Sequence, residues 1–168
     1  MPAILQQGFT MWEYAEYQVI LQDHQYYSSI YFDDFSRVSF KKALEDTLKK
    51  WEFVTKWVTR WDKKSVKDLK ERPESPRITE IMNLDEPLCF EDLICQKREQ
   101  RCACCPLWHI TGYPCEDPKS AKYNLLKDWR AGEGYFHPHL FATVLRKLKY
   151  GNPLYDYDVG FLKTSIYY

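Results

Sequence analysis

The stretch SFKKALEDTLKKWEFVTKWVTRW, residues 39–61, decides the fold class. Phe40, Leu44, Leu48, Trp51, Val54, Val58 and Trp61 recur every three or four residues. That spacing lays one apolar stripe along an α-helix and predicts a buried, amphipathic element. Ser39 is a suitable N-cap, because its hydroxyl can accept a hydrogen bond from a free backbone N–H of the first turn. Glu45 with Lys49 and Glu52 with Lys56 stand four apart, the spacing at which opposite charges support a helix. The pattern continues through Val66 and Leu69 until Pro73 and Pro76, so the expectation is one long basic amphipathic helical segment over residues 37–72.

Working outward, Thr10-Met11-Trp12-Glu13 has the form of a capping box and predicts a short helix to about Leu21. Residues 73–87, bounded by prolines, read as a connector, and 88–96 as a short helix. A helix over 120–130 is closed by Gly132, and another over 138–149 by Gly151 and Pro153. The Tyr-rich tail suits a strand over 162–168. The chain of 168 residues is read as a single domain, 1–168, of mainly α class with minor β (α+β): a compact helical domain with a metal-stapled loop.

The composition is that of a globular protein, with 45% hydrophobic and 29% charged residues. Net charge is zero, but residues 41–72 carry eleven bases against six acids. On one continuous helix Lys49, Lys56, Arg60, Lys63, Lys67 and Lys70 would share a face within about 80° of arc, a rail suited to nucleic-acid phosphates or to an acidic protein. No segment has the roughly 20 apolar residues of a membrane span, and the first residues lack the pattern of a signal peptide. A cytoplasmic location is therefore expected, with reduced thiols.

The six cysteines carry the sharpest chemical signal. Cys95, Cys102, Cys105 and Cys115 fall within twenty-one residues, spaced Cys-x6-Cys-x2-Cys-Pro-x9-Cys. A Cys-x2-Cys turn aims two sulfurs at one ion, and two further thiolates complete a tetrahedron. The loop over 95–118 is thus read as a structural zinc site, closed to catalysis because all four ligands are protein. Cys104 and His109 are alternate ligands. An iron–sulfur cluster is the alternative cofactor, since cysteine followed by proline ends several cluster motifs. Cys89, between Leu88 and Phe90, suits a core position.

The run from Cys95 to Leu107, followed by Thr111-Gly112-Tyr113-Pro114-Cys115, resembles a cysteine cluster of small uncharacterised bacteriophage and prophage proteins. The likeness covers about twenty-one of 168 residues. The opening Cys-x2-Cys common in that group is absent here, where Asp92 stands three before Cys95. The resemblance implies a phage-type accessory protein in the host cytoplasm, possessing a metal-binding loop and no established activity.

For catalysis the candidates are His137 and His139 around Pro138, as ligands or a base, and the Asp23, His24, Asp33, Asp34 set as a metal-dependent nuclease. Helix capping is the plainer role for His137 and His139. No phosphate-binding glycine loop, nucleophile elbow or zinc-protease motif is present. The leading expectation is a non-enzymatic interaction protein with a protein partner, including a host defence factor. The alternatives are a nucleic-acid-binding module, a small nuclease and an iron–sulfur redox protein.

Overall fold

A computed structural model describes residues 8–30, 40–61, 65–84 and 121–151. Six helices lie within them: α1 (Met11–Ile30), α2 (Phe40–Thr59), α3 (Val66–Lys70), α4 (Ser75–Asn83), α5 (Ala121–Ala131) and α6 (Pro138–Lys149). The described part is mainly helical. Between described residues there is a single isolated antiparallel bridge, Ser65 with Tyr135, and no extended strand.

The predicted stripe of α2 is buried: Leu44, Leu48, Trp51, Val54 and Val58 are each at most 3% exposed. The covered surface is wider than that stripe, because Ala43, Phe53 and Trp57 are buried too. The helix is central, touching α1, α4 and, most extensively, α6. Trp51 meets Phe141 of α6 edge-on at 5.1 Å, while Trp57 meets Trp129 of α5 at 6.1 Å. Even Lys50 is buried; its Nζ donates to the Leu84 carbonyl at 2.8 Å, which offsets part of the cost of burying the ammonium.

The continuous helix expected past Trp61 is not formed. α2 ends at Thr59, and Trp61 donates its N–H to the Val58 carbonyl in a tightened last turn. A new helix starts at Ser65, whose Oγ accepts from the Asp68 N–H at 3.2 Å and donates to the Asp68 carboxylate at 2.8 Å. Ser65-x-x-Asp68 is a start signal inside the apparent long helix, and it overrides the apolar periodicity. The connector expected over 73–87 is also corrected. Ser75–Asn83 is helical, with Pro76 in the first turn, where a missing N–H does no harm, and Ile78, Ile81 and Met82 are buried.

α1 begins at the predicted capping box. The Thr10 N–H donates to Glu13 Oε1 at 2.9 Å, and the Glu13 N–H donates to Thr10 Oγ1 at 3.2 Å. The helix runs to Ile30, well beyond the expected end near Leu21. Tyr17 ties it to α4, donating its hydroxyl to Glu80 at 2.6 Å and accepting from Arg77 at 2.9 Å. α5 and α6 match their predicted spans, with Gly132 and Gly151 at φ 72° and 68°.

Gly8 approaches Glu74 so closely that only a glycine fits. A Cβ there would lie 2.7 Å from Glu74 Cδ, and φ is +89°. Glu74 is fully buried and lies 3.6 Å from Arg72 Nε, so its carboxylate would have to shift within the packed interior. Gly8→Ala is expected to destabilise the fold on the order of 2–4 kcal/mol, from overpacking plus the left-handed backbone. A melting temperature equal to that of the wild type would show that the approach is not as tight as described.

Candidate interaction groove

α1 and α2 pack side by side and leave a groove whose floor is Phe53. One hollow of about 390 Å³ is lined by Thr10, Trp12, Glu13, Glu16, Phe53, Lys56 and Arg60. A second, of about 360 Å³, shares Glu16, Phe53 and Lys56 with the first and continues past Lys49 and Glu52 to Arg146 of α6. Three of the six cations expected on the basic rail therefore line this groove: Lys49, Lys56 and Arg60.

Acids oppose them. Arg60 pairs with Glu13, and Lys56 stands 3.8 Å from Glu16. Arg146 donates from Nε and Nη2 to Glu52 Oε1 at 3.2 and 3.1 Å. Glu52 and Lys56 are thus each matched by another helix. Lys49 has none of these partners, but its charge acts through space on Asp23. Burial first, and then the neighbouring Asp46, hold the Asp23 carboxyl above its usual range; Lys49 and Lys42 oppose that shift. At the groove mouth Trp12 is 83% exposed. Exposed surface pairs contribute about 0–1 kcal/mol each, so they position the rails more than they hold the fold.

The other rail residues lie elsewhere. Lys67 and Lys70 are on α3, where Lys70 Nζ sits 5.9 Å from the Trp129 ring centre. Because α2 and α3 are separate helices, the six do not form one helical face. Lys63 lies outside the described residues, as do Asp33 and Asp34. So do the loop over 95–118 and the strand over 162–168, with Cys95, Cys102, Cys104, Cys105, His109 and Cys115.

Comparison with family models, with curated proteins and with solved structures gives no match. The functional reading therefore rests on this chain's own residues.

His137 is the N-cap residue of α6, but its side chain makes no capping bond. Its ring stacks on Tyr135 at 6.5 Å and meets His139 edge-on at 5.7 Å. Among the described residues, no group of three or more His, Cys, Asp or Glu could hold a metal ion. None of the described helices is long and apolar enough to cross a membrane.

Sequence reasoning missed Glu13, Glu16, Glu52 and Arg146 as groove residues. For Glu13 a signal existed, since the capping box places its carboxylate at the start of α1. No signal joined Arg146 to Glu52, which are 94 residues apart. Only the packing of α6 on α2 brings them together.

Proposed function

We propose that the protein is a non-enzymatic, phage-type accessory protein that engages a protein partner through the groove between α1 and α2. In this reading a structural zinc on Cys95, Cys102, Cys105 and Cys115 stabilises the domain, and the protein acts in the host cytoplasm on a host or phage macromolecule, a defence factor included. The supporting observation is Trp12. A tryptophan 83% exposed at the mouth of a groove with an apolar floor has the character of a binding hot spot. The paired charges on the walls fit a protein surface of mixed sign, because each acid and base can exchange its partner for one across the interface. They suit a polyanion less, since Glu13 and Glu16 already match Arg60 and Lys56.

The test is photo-crosslinking from an unnatural residue at position 56 in host cells, followed by reconstitution with the purified partner. Trp12→Ala is expected to weaken binding by roughly tenfold or more, while Lys67→Glu on α3 leaves it unchanged. Catalytic turnover by the purified chain that disappears in His137→Ala or Asp33→Asn would overturn the non-enzymatic reading.

A further inference from the structure

α1 carries a second apolar face, turned away from the core. Tyr17 and Ile20 point inward and are buried. On the opposite side Trp12, Ala15, Val19, Gln22 and Tyr26 are all exposed. Their spacing alternates three and four, the period of a coiled-coil seam. At 100° per residue the five fall within about 80° of arc and run about 21 Å along the helix. None of them is charged, in a chain that is 29% charged. Trp12, Val19 and Tyr26 are 83%, 36% and 59% exposed. A helix that is apolar on both faces is built to be covered on both. Exposed apolar stripes of this kind mark interaction sites.

We propose that the outer face of α1 is a homodimer seam, and that its occupant is the α1 of a second copy, packed antiparallel about a two-fold axis near Val19. The symmetry of the stripe favours this occupant. Trp12 and Tyr26 stand seven residues to either side of Val19, so the two-fold places Trp12 of each copy on Tyr26 of the other and Val19 on Val19. The larger side chains meet at the ends, and the smaller aliphatic residue sits where the helices approach closest. Self-pairing along an uncharged stripe brings no like charges together, the usual obstacle to an isologous contact. Gln22 can also act as both donor and acceptor. Of the charged residues of α1 nearest the seam, Glu16 stands 3.8 Å from Lys56 of α2, and Asp23 feels the charges of Asp46, Lys49 and Lys42 of that same helix.

Sedimentation equilibrium of the full chain over a concentration series tests this directly. The expected result is a reversible dimer of twice the chain mass. Val19→Glu is expected to raise its dissociation constant by roughly tenfold or more, because a carboxylate would be buried against its own copy. Val19 is exposed in the monomer, so the variant should keep the wild-type melting curve at dilution. A photo-crosslinker at position 12 should map to the residues around Tyr26 of the second copy. A chain that stays monomeric throughout, or a dimer indifferent to Val19→Glu, overturns the proposal. Trp12 also lines the groove, so the two readings are separated at Lys56 and Val19: a partner crosslinked from position 56 in the Val19→Glu variant reports the groove, and loss of the dimer in that variant reports the seam.

Discussion

Replacing Trp51 with alanine is expected to lower stability by about 3–5 kcal/mol, the range for truncating a fully buried aromatic. Trp51 is 0% exposed on the central helix and packs edge-to-face on Phe141, so it lies in the most extensive helix contact of the described fold. Removal forfeits its apolar burial and the aromatic contact. It also leaves a cavity in a close-packed core, which the surrounding side chains can fill only in part. Against a total of about 5–15 kcal/mol this is a large share. At about 2–4 °C per kcal/mol for a chain of this size, the melting temperature should fall by roughly 6–20 °C. Denaturant unfolding followed by circular dichroism would measure it. Trp51→Phe should lose less, because it retains the ring contact. A loss under about 1 kcal/mol for the alanine variant would mean that α2 and α6 do not share the core described.

The parts of this fold that were legible in the sequence share one property: their signals are local and unopposed. Thr10 and Glu13 form their reciprocal bonds within one turn, and Gly132 and Gly151 close α5 and α6 where the backbone must turn left-handed. The α2 stripe was legible because burial there is one-sided enough to leave a period. The errors arose where signals competed. Past Trp61 the apolar spacing persisted through Val66 and Leu69, and the capping pair Ser65 and Asp68 restarted the chain as a second helix. Around α4, the prolines at 73, 76 and 87 suggest a connector, although Pro76 sits where a helix tolerates it. α1 runs beyond its expected end; its outer face is weakly polar as well, which blurs the contrast between inside and outside. The groove was harder still. Its wall joins Glu16 to Lys56 and Glu52 to Arg146, and those pairs exist only after three helices pack.

Cys105→Ser is expected to have the largest effect of any single substitution, and it rests on the zinc proposal. A structural zinc contributes roughly 10–16 kcal/mol to folding in finger peptides. That is comparable to the whole ~5–15 kcal/mol stability of a typical domain. A serine hydroxyl is a far poorer ligand than a thiolate, so the variant should lose its metal together with much of its stability. Chelation of the wild-type protein should have the same effect, reversed by returning zinc. Cys104→Ser should retain both metal and melting temperature if Cys104 is the spare thiol. Elemental analysis and an absorption spectrum on anaerobically purified protein give the decisive reading. One zinc per chain in a colourless solution supports the staple, whereas stoichiometric iron with brown absorbance replaces it with a cluster and brings redox chemistry forward. A Cys105→Ser protein that keeps its metal and its melting temperature would show that Cys105 is not a ligand.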